Sequence, residues 1–136
     1  MSLGGFDTHA NQSITQQLLL MYVADALEGF LKDVKRLGRA ADIAVMLFTE
    51  FGRRVAQNQS QGTDHGAATP MYIVGEPVKG GLYGQYPSLD QLDDNGDLIM
   101  TTDFRRVYAT MIKEWLGYDD VASVLKGNFD TLGVFL

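Results

Sequence analysis

Asp42-Ile43-Ala44-Val45-Met46-Leu47-Phe48, followed at once by Thr49-Glu50-Phe51-Gly52-Arg53-Arg54, is the stretch on which the fold turns. After its leading aspartate the run is apolar to Phe48 and holds no turn residue. A run this short and unbroken, standing after a helical segment, predicts a strand buried on both faces of a parallel sheet. The polar motif behind it then falls at the strand's C-terminal end, where open α/β sheets build their sites.

Toward the N-terminus, Ile14, Leu18, Met21, Tyr22, Leu27, Phe30, Leu31, Val34 and Leu37 recur at helical spacing. Ser13 with Gln16 predicts a capping box at the helix start, Glu28 and Lys32 form an i,i+4 pair, and Gly38 supplies the stop. Residues 4–12 read as a loop leaving a strand. In the other direction, residues 49–69 show no periodicity and read as a long loop. Residues 71–74 read as a second strand and 76–97 as another loop, broken by Gly80, Gly81, Gly84 and Pro87. Thr101 or Thr102 is expected to cap a helix with Phe104, Val107, Tyr108, Met111 and Trp115 on its apolar face, closed by Gly117. The tail holds a helical turn and an apolar end, residues 129–136, expected to pack down. Strand, helix, strand, loop, strand, helix is the order of an α/β protein.

Composition sets the outer limits. The 136 residues, 46% hydrophobic and 21% charged, suit one globular domain with a core of its own. Met1-Ser2-Leu3 reads as a short junction scar, and 4–136 as a single α/β domain, the C-terminal part of a larger protein. A net charge of −6 argues against nucleic acid, which needs a basic face. No apolar run approaches the ~20 residues of a membrane span. The absence of cysteine removes disulfides, thiolate metal sites and cysteine nucleophiles.

Three short motifs carry the chemistry. Asp7 and His9 stand two apart in an extended segment, so both side chains point the same way. A hard carboxylate beside an imidazole suits a divalent ion such as zinc or manganese; an Asx-turn aspartate and a surface histidine is the plain alternative. Asp64-His65 lies in Gly62-Thr63-Asp64-His65-Gly66, where alternation lets one of the pair reach a shared centre, His65 being the better candidate. The flanking glycines permit close backbone approach; a flexible polar loop is the alternative. Glu50 falls just past the buried strand, where a carboxylate is costly unless paired or bound to metal. Arg53 could hold an anionic oxygen bidentately, or could form an ion pair with Glu50. The candidate metal ligands are therefore Asp7, His9, Glu50, Asp64 and His65, with Arg53 as candidate anion binder. Lys79-Gly80-Gly81 lacks the P-loop pattern, and Asp90, Asp93, Asp94, Asn95 and Asp97 have the wrong spacing for an EF-hand and read as a solvated turn. No Gly-x-Ser-x-Gly elbow is present.

The sequence from Gly4 to Gly117 resembles the C-terminal third of a family of exported bacterial proteins of unknown function. These usually carry a twin-arginine signal and belong to the alkaline phosphatase and sulfatase superfamily. The resemblance rests on residues 5–12 (GFDTHANQ), 49–53 (TEFGR), 62–66 (GTDHG), 78–84 (VKGGLYG) and 103–108 (DFRRVY). It implies a doubly wound sheet with flanking helices, two metal ions at the strand ends, and a periplasmic or exported protein. Asp7 and His9 would take the place of an aspartate-histidine metal pair, Glu50 would stand near the pair after the next strand, and His65 near a late histidine. Two departures stand out: Asp7 and His9 are closer than that pair usually is, and Phe51 follows Glu50 where phosphatases carry a histidine. The nucleophile would lie outside this chain. The expected activity is metal-dependent hydrolysis of a small anionic phosphate or sulfate ester, absent from this fragment alone. The alternative is a non-catalytic exported protein serving in binding or surface assembly. Exposed sheet edge and apolar surface predict that the fragment forms a homo-oligomer.

Overall fold

The computed structural model describes every residue, Met1–Leu136. Helix α1 (Gln12–Arg36) leads to a 3₁₀ turn (Ala40–Asp42) and four short strands, β1 (Val45–Leu47), β2 (Gly52–Gln57), β3 (Thr63–Gly66) and β4 (Tyr72–Val74). Helix α2 (Phe104–Thr110) continues as a π turn (Met111–Trp115), and α3 (Val121–Leu125) follows. These elements gather into two compact units. One comprises Met1–Ala40, Thr49–Pro70 and Ser88–Ile99; the other comprises Ala41–Phe48, Met71–Pro87 and Met100–Leu136. The chain is a mixture of helix and small antiparallel sheets, α/β in the general sense.

In the first unit, α1 does not begin with the expected capping box. Ser13 lies inside the helix, and the N-cap position is Asn11, in the left-handed region at φ 46°, which asparagine tolerates. The helix start is instead tied to the β2–β3 turn: the amides of Asn11 and Gln12 donate to the carbonyls of Ser60 and Gln61. A tertiary partner has taken over the work of a local cap, which no spacing rule can show. The C-terminus is as expected, with Gly38 at φ 69° just past the last turn. Only Val34 of α1 is buried; Ile14, Leu18, Met21, Tyr22 and Phe30 are exposed.

The long loop read at residues 49–69 is a β-hairpin. Strands β2 and β3 pair antiparallel, Gly52 opposite Gly66, Arg53 opposite His65 and Gln57 opposite Thr63, with a bulge between Arg53 and Gln57. Neither strand has an alternating apolar pattern, so periodicity passes over them. The closing turn is an Asx-type turn: Asn58 Oδ1 accepts from the amides of Ser60 and Gly62, both at 3.0 Å. The acidic turn behaves as expected, Asp93 accepting the amides of Asn95 and Asp97, while Arg54 Nε donates to Asp97 at 3.0 Å.

In the second unit, β1 is not part of a parallel sheet. It pairs antiparallel with β4, Val45 opposite Val74 and Leu47 opposite Tyr72, and its residues are only half-buried. An apolar run shows that a strand wants cover; which strand it meets, and in which direction, is a non-local choice. Helix α2 is capped not by Thr101 or Thr102 but by Asp103, whose carboxylate accepts from the Arg105 amide at 2.9 Å. Thr101 instead donates its hydroxyl to the Gln85 carbonyl. The tail packs down as expected: Val134 and Phe135 are buried, Val78 bridges Phe135, and Trp115 stacks on Phe135 at 5.3 Å. Glu114 holds this end. Its carboxylate accepts from the amides of Gly133 (2.8 Å), Val134 (2.9 Å) and Phe135 (3.3 Å).

Candidate metal centre

The first unit brings residues 6–10 against the β2–β3 hairpin, which Gly62 allows, while Gly66 allows β3 to lie close on β2. A Cβ on Gly62 would sit 2.2 Å from the His9 carbonyl carbon, and one on Gly66 would sit 2.7 Å from that of Arg53. Asn58 adds a tie, its Nδ2 donating to the His9 carbonyl at 3.0 Å. The close approach expected toward a ligand is therefore made by the chain toward itself.

Three ligand atoms converge as a result. Asp7 Oδ1 lies 2.9 Å from His9 Nε2 and 2.8 Å from His65 Nε2, and the two nitrogens are 3.2 Å apart. Bonds of about 2.1 Å from nitrogen or oxygen to a divalent ion place neighbouring ligand atoms about 3.0 Å apart at right angles and about 3.4 Å apart in a tetrahedron. The triangle fits one face of such a shell. All three residues are exposed, so the other side is open to solvent or substrate. Hydrogen bonding from His65 holds the Asp7 carboxyl below its ordinary value; slight burial opposes this, and the charges of His9, His65 and Arg53 add to it.

Asp64 and Glu50 end up differently. Asp64 accepts from Asn58 Nδ2 at 3.1 Å and faces His9 Nδ1 at a long 3.4 Å. It thus stands behind a candidate ligand, on the ring nitrogen turned away from the triangle, the usual place for a carboxylate that orients a metal-binding imidazole. Hydrogen bonds from Asn58 and then His9 lower its pKa. Glu50 is exposed, ahead of β2, and outside the group that could share an ion. Phe51 is the residue of that motif which reaches the centre. Its ring stacks on His65 at 4.0 Å and 13°, and His65 in turn meets His9 at 4.8 Å. The Arg53 guanidinium covers the Phe51 ring at 5.0 Å. Arg53 Nη2 donates to the Phe6 carbonyl at 2.5 Å and faces Thr8 Oγ1 at 3.4 Å, while Nη1 donates to the Thr63 carbonyl. Sequence reasoning missed Asn58 and the part played by Phe51; the Asn-Gln-Ser-Gln-Gly turn composition was the one available signal for the former.

A shallow groove of about 580 Å³ is lined by Gln12, Gln16, Gln57, Gln61, Thr63 and Arg53, among others, and by none of Asp7, His9 and His65. Arg53 is its one cationic side chain. The chain belongs to a family of proteins of unknown function, DUF1501, whose pattern matches residues 1–128. No curated protein and no solved structure matches it.

Proposed function

We propose that Asp7, His9 and His65 hold a divalent metal ion, zinc or manganese, and that the chain is the metal-binding part of a hydrolase acting on small phosphate or sulfate esters. The single observation that carries this reading is the triangle of Asp7 Oδ1, His9 Nε2 and His65 Nε2, with edges of 2.8 to 3.2 Å. The donor set suits both ions. An ion there would supply the positive charge that polarises an ester oxygen. Asp64 would keep His9 in the tautomer whose Nε2 is free to bind.

The chain's own hydroxyls near the cluster are committed elsewhere. Thr8 is buried beneath Arg53 and bonded to the Phe6 carbonyl, and Thr63 donates to Gln12 Oε1 at 2.8 Å. With the covalent nucleophile expected to lie outside this chain, this chain alone is expected to bind metal without hydrolysing ester. The resemblance to exported alkaline-phosphatase-like proteins supports a periplasmic setting and the ester class.

One observation favours a second reading, a non-catalytic binding or surface-assembly protein. Phe51 puts an apolar ring against His65, at the sequence position after Glu50 where the resemblance leads one to expect a histidine ligand. Metal analysis separates the two. One zinc or manganese ion per chain, lost in His9→Ala and in His65→Ala, supports the hydrolase reading; a parent protein that binds neither ion overturns it.

A further inference from the structure

We propose that Arg53 is a positioning residue of the metal centre, and that it does not bind the substrate anion. The inference rests on the metal reading above. The guanidinium bridges the two segments that supply the ligands. Its Nη2 donates to the carbonyl of Phe6, the residue before Asp7, and faces the hydroxyl of Thr8, which lies between Asp7 and His9. Its Nη1 donates to the carbonyl of Thr63, two residues before His65 on β3. Three of the five N–H donors of an arginine are therefore directed at the protein. The side chain is only 18% exposed.

The backbone and the ring faces complete the clamp. Arg53 is the ladder partner of His65, so its own main chain sets the height of that histidine. Its flat face lies on Phe51, and Phe51 lies on His65 with the two rings 13° from parallel. The column Arg53–Phe51–His65 fixes the plane of one imidazole, while the forked donors fix the segment carrying the other two ligands. Arg53 also stands 3.9 Å from Asp7 Oδ1, near enough to favour the ionised carboxylate without occupying its ligand oxygen. A lysine has the charge but neither the fork nor the flat face, so it cannot replace these contacts. Phe51 has the same kind of role through its stack on His65.

The test is calorimetric titration of zinc into the parent chain, Arg53→Gln, Arg53→Lys and Phe51→Leu, with circular dichroism of each zinc-free protein as the check on folding. Every variant is expected to keep the parent spectrum and to bind zinc about 10- to 100-fold more weakly, the usual cost of removing a group that orients metal ligands. Arg53→Lys is expected to be no better than Arg53→Gln. Rescue by Arg53→Lys would overturn the clamp in favour of a charge effect. Zinc affinity unchanged in both arginine variants would overturn the proposal while leaving the metal reading intact, whereas a parent that binds no zinc fails that reading first. Nitrogen-resolved NMR of the parent protein needs no variant to fold. The Arg53 Nη signals should be separately resolved and unmoved by inorganic phosphate; freely rotating Nη groups, or shifts that saturate with phosphate, would refute the assignment.

Discussion

Gly62→Ala is the substitution that most directly tests how the centre is assembled. The backbone at Gly62 does not need the left-handed region, so a methyl group there meets no torsional penalty, only contact. That contact is severe, because an added Cβ would lie 2.2 Å from the carbonyl carbon of His9, 2.3 Å from its oxygen and 2.7 Å from the amide nitrogen of Ala10. Ordinary van der Waals separation is about 3.4 Å or more, so the 6–10 segment and the hairpin must part by about 1.2 Å. Metal sites tolerate displacements of only about 0.2 Å in their ligand distances. Forcing a methyl group into a packed contact costs about 1–3 kcal/mol, and here the ladder, the Asn58 tie and the Arg53 clamp all resist the same movement. We expect Gly62→Ala to lower unfolding stability by about that amount, with zinc binding lost from calorimetric titration. The added methyl group meets backbone and none of the ligand atoms, so the loss would be geometric. A Gly62→Ala protein that binds zinc as tightly as its parent would refute the argument that the glycine sets the spacing.

Three further outcomes follow from the same structure. Asp64→Asn is expected to weaken zinc binding about tenfold without abolishing it, because Asp64 faces the far nitrogen of His9; abolition would make Asp64 a ligand itself. Glu114→Ala should lower stability by about 2–3 kcal/mol in urea unfolding, since the amides of buried Val134 and Phe135 would lose their acceptor. The Glu114 pKa is affected first by burial, which raises it, but the Thr131 side chain and the amides of Gly133, Phe135 and Val134 outweigh that and bring it below 4.5. A depressed carboxyl stabilises the fold above its unfolded pKa, and the stabilisation fades as pH falls through the folded value. The gap between parent and Glu114→Ala should therefore be full above pH 4.5 and narrow below it; a gap independent of pH would contradict this. Finally, Ile14, Leu18, Met21 and Tyr22 lie exposed on one side of α1, and such a stripe favours self-association. Light scattering should give a mass above the 15.0 kDa of one chain, reduced by Leu18→Glu with Tyr22→Glu; a strictly monomeric parent would contradict it.

What could be read in advance was whatever depends on near neighbours along the chain. Helix α1 followed from the spacing of Leu18, Met21, Tyr22 and Leu31, its stop from Gly38, and α2 from its apolar face. Asp7, His9 and His65 were legible as candidates because chemistry-bearing residues beside acids and glycines are informative even without coordinates. The direction of β1, the hairpin inside residues 49–69 and the Asn11 start of α1 were not legible. Each depends on a partner far away in sequence, and the polar strands of the hairpin have no alternation to betray them.

The amino-acid sequence by itself determined which groups were available for a site: a carboxylate, two imidazoles and an arginine, with glycines where chains must pass closely. Only the tertiary structure decided how they are arranged. It brought His65 across 58 positions onto Asp7, set Asp64 behind His9, left Glu50 outside, and put Phe51 against the His65 ring. The physical reason is that residue type fixes chemistry locally, whereas the Asp7–His9–His65 triangle, with edges of 2.8 to 3.2 Å, exists only once backbone contacts, made possible here by Gly62 between residues 9–10 and the hairpin and by Gly66 between its strands, bring distant segments together.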